Sequence, residues 1–188
     1  MKNLAIFASG NGTNTENIIK FFLPSNTAKV ELILTENPTA GVIHRAKKLN
    51  TKVIVFDKNE LRNSDKILNL LIDNKIDFII LAGFLKLIPA HIIKHYPNKI
   101  INIHPALLPK YGGKGMYGMN VHNAVIKNKE KTSGITIHYV NEKYDDGQII
   151  FQAECKVEKT DTPESLAQKI HKLEYEHYPK IINQIISK

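Results

Sequence analysis

An uninterrupted apolar segment near the middle of the chain is the feature that most constrains the fold. Residues 77–82 read Asp-Phe-Ile-Ile-Leu-Ala and lack the alternation of apolar and polar residues that a half-exposed strand shows. Strands with this pattern are typical of parallel sheets that are covered by helices on both faces. The longer apolar run 78–85 is less than half of the roughly 20 residues needed to span a bilayer. The sequence therefore predicts a buried central strand and no membrane-spanning segment.

Short apolar runs alternate with amphipathic segments along the chain. The predicted strands are residues 3–8, 30–34, 53–56, 77–82, 99–103, 134–140 and 148–157. The predicted helices are residues 15–22, 40–49, 64–74, 89–95, 121–127 and a last helix that opens at Thr162-Pro163-Glu164. In the third helix, Ser64 is the predicted N-cap, and Ile67, Leu68, Leu71 and Ile72 form the predicted buried face. This order predicts an α/β fold, a Rossmann-like open and mostly parallel sheet with helices on both faces. No repeat or linker divides the chain, so we expect residues 1–188 to form a single domain.

Composition narrows the possible function classes. The net charge of +8 fits a general compositional bias, attraction of small acidic substrates, or binding of nucleic acid. Only Arg45 and Arg62 are arginines and the lysines are scattered, so compositional bias is favoured and nucleic acid is the least favoured explanation. The single cysteine, Cys155, excludes an internal disulfide and a cysteine-clustered zinc site. The first residues lack the apolar core of a signal peptide, and we expect a cytoplasmic protein.

A glycine-containing loop follows the first predicted strand. Its sequence, Ser9-Gly10-Asn11-Gly12-Thr13-Asn14, leads into the first helix, where backbone N–H groups can bind a phosphate. Thr15 occupies the place of the third glycine of G-x-G-x-x-G, and no G-K-[ST] ending is present. The loop therefore favours a phosphate monoester over a dinucleotide or a nucleoside triphosphate. Taken alone, it fits a tight turn that binds nothing equally well.

Polar side chains also cluster at the end of the predicted strand 99–103. Asn102 and His104 are two residues apart and therefore point to the same side of an extended chain. An amide and a protonated imidazole could together stabilise an oxyanion, although a buried pair that is satisfied by backbone groups is the alternative. The acidic turn 144–149 carries Asp145, which could hold the imidazole protonated and order a water for proton transfer if it lay beside His104. The alternative is an ordinary hairpin turn.

The remaining histidines give little indication of function. His91 and His95 have the i, i+4 spacing of a helical metal pair, but the glutamate of H-E-x-x-H is missing. We therefore expect an ordinary helix surface there and no metal. His44, His122, His138, His171 and His177 carry no independent signal.

Four segments together resemble the glycinamide ribonucleotide formyltransferase family. They are residues 9–14, 81–88 and 102–111 and the pattern Asp145-x-Gly147-x-Ile149, in the family's order and spacing over nearly the whole chain. The Asn-Ile-His-Pro stretch marks the wider formyltransferase superfamily, whereas the glycine loop and the chain length indicate this branch. The resemblance implies transfer of a formyl group from 10-formyltetrahydrofolate, a co-substrate, to the amine of glycinamide ribonucleotide in purine biosynthesis, without a metal.

The resemblance also implies roles for individual residues. Asn102 and His104 donate to the oxyanion, and Asp145 keeps His104 protonated and helps, through water, to move a proton from the amine to the folate nitrogen. The implied glycinamide ribonucleotide contacts are Gly12, Thr13 and Asn14 at the phosphate, with His171, Lys172, Leu173 and Glu174 in the last helix. The implied folate contacts are Leu85, Lys86, Leu87, Ile88, Asn102, Asn141, Glu142, Lys143, Tyr144 and Asp145, with Arg62 as a further contact.

Two features depart from the commonest family pattern. The loop 112–120 is longer and glycine-rich, which fits either a hinged lid or a flexible insertion. Tyr144 stands where leucine is usual. A deformylase or a methionyl-tRNA formyltransferase would need a further domain, and a non-catalytic phosphate-binding module or a nucleic-acid binder would leave Asn102, His104 and Asp145 without a role. We expect small-molecule substrates as partners, with no nucleic acid or membrane, and a monomer or homodimer.

Overall fold

A single seven-stranded sheet forms the centre of the computed structural model, which describes residues 1–188. The strands are Lys2–Phe7 (β1), Ala28–Thr35 (β2), Lys52–Val55 (β3), Phe78–Leu81 (β4), Ile100–His104 (β5), Thr132–Tyr139 (β6) and Ile149–Lys156 (β7). The helices are Thr13–Phe22 (α1), Gly41–Lys48 (α2), Lys58–Asn63 (α3), Lys66–Asp73 (α4), Ala90–His95 (α5), Met119–Lys127 (α6) and Pro163–Ile186 (α7).

The sheet is parallel through its first five strands and antiparallel at one end. Its spatial order is β3-β2-β1-β4-β5-β6-β7, in which β5 pairs antiparallel with β6, and β6 antiparallel with β7. The predicted α/β class with an open, mostly parallel sheet is confirmed. Because the carboxyl ends of the parallel strands meet at one edge, the glycine loop after β1 lies near the end of β5.

Helices cover both faces of the sheet. Ile79 and Ile80 of β4 are adjacent and point to opposite faces, and both are fully buried, which explains the unbroken apolar run of this strand. One core lies between the sheet and α1, α2, α6 and α7; the other lies between the sheet and α3, α4 and α5. The central strand is therefore covered on each side, as the sequence predicts.

The segment between β3 and β4 differs from its prediction. The predicted helix 64–74 is present as α4, and an additional helix, α3, precedes it. Ser64 directly follows α3, and its hydroxyl accepts a hydrogen bond from the Lys66 N–H at the start of α4 at 3.3 Å, while Asp65 is the residue just before α4. Asp57 begins α3, because it accepts a hydrogen bond from the Asn59 N–H at 2.7 Å while its own N–H donates to Glu60 at 3.0 Å. This capping box starts a helix ahead of the predicted one.

The predicted buried face of that segment is also too wide. Ile67 and Leu71 are buried in α4, whereas Ile72 is 41% exposed. Residues four apart share a narrow helical stripe, and only that stripe contacts the sheet. Ile72 lies outside that stripe, so its apolar side chain is exposed although the sequence pattern predicted it to be buried.

The longest helix, α7, packs against the middle of the sheet. Thr162 caps it with Pro163 in its first turn, as the sequence predicts. The buried Tyr178 hydroxyl lies 2.9 Å from the Leu81 carbonyl and 3.0 Å from the Ile101 carbonyl, so it holds α7 against the carboxyl end of β4 and the first half of β5. None of the seven helices combines the length and the apolar character required to cross a membrane.

Candidate active site

A cavity of about 740 Å³ opens where the glycine loop, the end of β5 and α7 meet. Its size is within the range of small-molecule sites. Parts of the chain that are far apart in sequence meet here because the loops after β1, β4 and β5 leave the sheet at the same edge. The predicted site residues that line the cavity are Gly12, Thr13, Asn14, Leu85, Asn102, His104, Tyr144, Asp145, His171 and Glu174.

The other predicted contacts do not line this cavity. They are Arg62, Lys86, Leu87, Ile88, Asn141, Glu142, Lys143, Lys172 and Leu173. Ile88 is buried in the core between the sheet and α3, α4 and α5, whereas Arg62 is exposed on α3. A contiguous segment presents only some of its side chains to one side, so the segments 85–88 and 141–145 reach the cavity only through Leu85, Tyr144 and Asp145.

The glycine loop has the geometry of an anion site. Gly12 has φ of +73°, and a Cβ at this position would lie 2.5 Å from Cγ2 of Val42. No side chain caps the start of α1, and the N–H groups of its first turn have no acceptor within the helix. The Arg45 Nε donates to the Asn11 carbonyl at 2.8 Å and so supports the loop from α2. Free N–H groups at a helix start suit a phosphate.

The side chain of Asn14 points away from this anion site. Its Nδ2 donates to the carboxylate of Glu174 at 2.9 Å, and Nδ1 of His171 is also 2.9 Å from that carboxylate. The hydrogen bond with the buried Glu174 raises the pKa of His171 above its ordinary value. Oδ1 of Asn14 is buried and has no hydrogen-bond partner. In this conformation Asn14 contributes only its backbone N–H to the anion site, and its side chain links the glycine loop to α7.

The neighbouring strand β6 supports the end of β5. Asn102 and His104 both line the cavity, and His104 pairs with Thr136 across the antiparallel ladder. The Thr136 hydroxyl donates to the Ala106 carbonyl at 2.7 Å and accepts from the Leu108 N–H at 2.9 Å. This buried hydroxyl fixes the turn that follows His104.

The imidazole of His104 contacts acceptors on both sides. Its Nε2 is 2.7 Å from the Tyr111 carbonyl, which can only accept, so Nε2 carries a hydrogen. Its Nδ1 is 3.5 Å from the Asp145 carboxylate. Burial lowers the pKa of His104, and the Asp145 carboxylate and the Tyr111 carbonyl offset only part of this effect. Asp145 therefore acts in the predicted direction, in favour of a protonated His104, but burial has the larger effect in this conformation.

Only one of the two adjacent aspartates faces the cavity. Burial acts to raise the pKa of Asp145, but the nearby His104 imidazole and the hydrogen bond from the Gly113 N–H act to lower it, and its pKa lies below the ordinary value. The Gly113 N–H donates to Asp145 at 3.0 Å. The Asp146 side chain is 54% exposed and accepts from Asn141 at 3.2 Å. Asp145 is therefore an ionised group at the cavity wall, whereas Asp146 is a solvated turn residue.

Several cavity residues carry no signal in the sequence. His122 is 3% exposed on α6, its Nδ1 has no partner, and burial lowers its pKa. Tyr175 of α7 stacks against His171 at the cavity wall. The loop 113–118, part of the glycine-rich segment 112–120 that stands out in the sequence, lines another side. Helical position alone does not show which face of α6 or α7 meets a cavity, so sequence patterns could not identify these residues.

Comparison with known proteins gives a consistent assignment. A family described as "Formyl transferase" matches residues 2–182. The chloroplastic phosphoribosylglycinamide formyltransferase of Arabidopsis thaliana is 39% identical over 190 residues, which are 98% of this chain and 65% of the plant protein. The Bacillus subtilis enzyme of that name is 37% identical over 99% of this chain and 95% of its own. The crystal structure of phosphoribosylglycinamide formyltransferase from Bacillus halodurans is 35% identical, with a TM-score of 0.88, over 100% of this chain and 96% of that one. The chain thus spans slightly less than two thirds of the plant relative and nearly all of the bacterial ones.

Proposed function

This chain belongs to the formyl transferase family, and we propose that it transfers a formyl group from 10-formyltetrahydrofolate to the amine of glycinamide ribonucleotide in purine biosynthesis. One observation carries the proposal: a single cavity joins an uncapped glycine loop with Asn102, His104 and Asp145. A phosphate-bearing acceptor needs the glycine loop to bind its phosphate, and formyl transfer needs the hydrogen-bond donors of Asn102 and His104 to stabilise an oxyanion. An enzyme that passed the formyl group to water would have no use for the loop.

The acceptor substrate is proposed to lie between α1 and α7. The N–H groups at Gly12, Thr13 and Asn14 bind its phosphate, as the start of an uncapped helix favours. Glu174 and Oδ1 of Asn14 are acceptors, and they suit the N–H and O–H groups of the glycinamide and the ribose. The phosphate end and the amine end of the substrate thus meet groups of opposite polarity.

The folate is proposed to occupy the more apolar part of the cavity. Phe84, Leu85, Met116, Tyr117 and Tyr144 line it there. Leu85, Tyr117 and Tyr144 are 41%, 49% and 38% exposed, so they offer apolar surface that a flat heteroaromatic ring can cover. The residues present therefore fit a reduced folate as formyl donor.

The polar groups are proposed to act on the tetrahedral intermediate. The acceptor amine attacks the formyl carbon, and the C–O double bond becomes a C–O⁻ single bond. An N–H of Asn102 and the Nε2–H of His104 donate to this oxyanion. The His104 hydrogen is bound to the Tyr111 carbonyl in this structure, so the segment 111–113 must release it when the formyl oxygen arrives. One proton of the attacking amine passes through water beside Asp145 to Nδ1 of His104, and Asp145 stabilises the imidazolium so formed. The proton then moves to the folate nitrogen as the bond between that nitrogen and the formyl carbon breaks and the C–O double bond returns.

We also propose that residues 1–188 work as one cytoplasmic domain, as a monomer or homodimer, without a metal. One sheet runs through the chain, and α7 packs back against its central strands. The proposed chemistry draws on Asn102, His104 and Asp145 alone. Treatment with a strong chelator should therefore leave the rate unchanged.

A direct assay tests the function. The purified protein is given 10-formyltetrahydrofolate with glycinamide ribonucleotide or with water alone, and mass spectrometry measures formylated acceptor and free formate. We expect acceptor-dependent loss of the folate formyl group with stoichiometric formation of the formylated ribonucleotide. Release of formate at the same rate without the acceptor would instead indicate a deformylase.

A further inference from the structure

A buried histidine lies behind Asn102, one of the proposed oxyanion donors. His138 of β6 is the direct partner of Asn102 of β5 in the antiparallel ladder. Side chains of directly opposed residues lie on the same face of a sheet and contact one another. His138 is 2% exposed and does not line the cavity, whereas Asn102 does. His138 can therefore reach a substrate only through Asn102 or Asp145.

The backbone fixes which nitrogen of His138 carries hydrogen. Nδ1 of His138 lies 2.8 Å from the carbonyl oxygen of Tyr139, and a carbonyl can only accept, so Nδ1 is the donor. Gly147 packs so tightly on this carbonyl that a Cβ there would lie 1.7 Å from the oxygen. The Tyr139 N–H also donates to the Gln148 carbonyl at 2.9 Å. The acceptor that sets the tautomer is thus held in place from both sides.

This tautomer sets the orientation of the Asn102 amide. With the hydrogen on Nδ1, Nε2 of His138 presents a lone pair to Nδ2 of Asn102, which lies 3.1 Å away, whereas Oδ1 of Asp145 lies farther from Nε2, at 3.8 Å. Nδ2 also lies 3.4 Å from Oδ1 of Asp145. The reversed amide would place its oxygen against both the lone pair and the carboxylate, and both contacts would be repulsive. The two acceptors therefore select one of the two amide orientations.

The two N–H groups of the amide are held unequally. The contact with His138 is shorter than the contact with Asp145, which is long for a hydrogen bond. The first N–H anchors the amide, and the second can turn from Asp145 to an oxyanion with little loss. An amide without the anchor would place its oxygen toward the substrate for part of the time, where it would repel the developing negative charge.

We propose that His138 is a positioning residue for formyl transfer: its imidazole accepts through Nε2 and holds the Asn102 amide so that an N–H group faces the oxyanion. This inference rests on the proposed function. It assigns His138 no contact with substrate, so its removal should act on kcat and leave the substrate KM values nearly unchanged.

The test compares two substitutions at position 138. His138→Phe keeps an aromatic ring and removes the acceptor, whereas His138→Gln places an amide oxygen close to the position of Nε2. We expect His138→Phe to lower kcat about 10- to 100-fold, as loss of one oriented donor implies. We expect His138→Gln to recover most of the rate. His91→Phe, a histidine substitution on α5 outside the cavity, is the matched control and should retain the wild-type kcat.

A double substitution separates positioning from simple damage to the fold. If His138 acts through Asn102, the variant with both His138→Phe and Asn102→Ala should have the kcat of Asn102→Ala alone. Losses that multiply would overturn the proposal, and so would a folded His138→Phe protein with the wild-type kcat. If His138→Phe does not fold, a folded His138→Gln variant decides: a near wild-type kcat supports the proposal, and a kcat as low as that of Asn102→Ala contradicts it.

A measurement that does not depend on turnover distinguishes a failure of the His138 positioning role from a failure of the proposed formyl-transfer function. The ¹⁵N chemical shifts of the His138 ring distinguish a protonated nitrogen from a bare one. We expect a protonated Nδ1, a bare Nε2 and a coupling through the hydrogen bond to Nδ2 of Asn102. A protonated Nε2 would refute the positioning role even in an active enzyme. A wild-type protein that shows this coupling but does not formylate glycinamide ribonucleotide would refute the proposed function instead.

Discussion

Replacing Asp145 by asparagine removes one negative charge beside His104 and leaves the side chain nearly the same size. The carboxylate lies 3.5 Å from Nδ1 of His104, and its side chain is 10% exposed. At an effective dielectric constant of about 20, a charge at this distance stabilises an imidazolium by about 5 kcal/mol. The asparagine dipole and solvent that enters the site recover part of this energy. We therefore expect kcat to fall on the order of 100-fold or more, which corresponds to about 2.7 kcal/mol or more.

The two KM values should change much less than kcat. Burial lowers the pKa of His104, and a developing oxyanion beside the ring favours its protonated form, so the attraction between Asp145 and the imidazolium is strongest in the transition state. An interaction that exists chiefly in the transition state affects kcat rather than ground-state binding. The assay follows formylated ribonucleotide at saturating and limiting concentrations of each substrate.

Asp146→Asn is the matched control, since it makes the same chemical change one residue later. Its side chain is 54% exposed and contacts only the turn itself, through Asn141 and Lys143. We expect its kcat to stay within a few-fold of the wild type. An active Asp145→Asn protein beside an inactive Asp146→Asn protein would refute the assignment of the carboxylate.

Three further substitutions test other parts of the molecule. Thr13→Ala combined with Asn14→Ala removes the Thr13 hydroxyl from the glycine loop and the Asn14 amide that contacts Glu174, while the backbone N–H groups remain. The KM for glycinamide ribonucleotide should rise about tenfold or more and the KM for the folate should hardly change, measured by steady-state kinetics. The hydrogen bond from Lys169 holds the pKa of Asp161 at about 2, below the ordinary 3.8, so its stabilising effect is complete above about pH 4 and is lost as the pH falls to 2. Asp161→Asn should therefore lower the free energy of unfolding in urea at pH 6 but not near pH 2. Gly147→Ala should lower the free energy of unfolding by about 2 kcal/mol or more, because the added Cβ would lie 1.7 Å from the Tyr139 carbonyl oxygen of the preceding strand.

Each of these predictions has a contrary outcome. A selective rise in the folate KM would contradict the phosphate assignment of the glycine loop. If Asp161→Asn still lowered the free energy of unfolding at pH 2, the negative charge of Asp161 could not be the cause of the lost stability. Gly10→Ala is the control for Gly147→Ala, since a Cβ at Gly10 meets no atom within 4 Å, and equal destabilisation by both would contradict the steric argument.

The fold was largely predictable because its strongest signals are local. The apolar run around β4 follows from burial on both faces, and the glycine loop and the proline at the start of α7 mark element ends. The break between α3 and α4 was not predictable from apolar spacing. It depends on a competing capping box at Asp57 and Glu60, which begins a helix before the predicted one.

The site was predictable where residues lie on one element and not where elements meet. The i, i+2 spacing places Asn102 and His104 on one face of β5 without knowledge of the fold. The approach of Tyr111 to His104 and the link between Asn14 and Glu174 depend on how loops and helices pack. The balance of burial against charge at His104 likewise depends on those contacts, so the sequence alone could not predict it.

The antiparallel strand β6 provides the supporting half of the proposed oxyanion site. Two residues that alternate along β5, Asn102 and His104, face two that alternate along β6, His138 and Thr136. His138 orients the amide of Asn102, and Thr136 fixes the turn that follows His104. Because side chains alternate with a period of two, a slip of one residue between these strands would replace both supports with neighbours from the opposite face. The register between β5 and β6 is therefore part of the proposed catalytic geometry, and substitutions that shift it should impair both donors together.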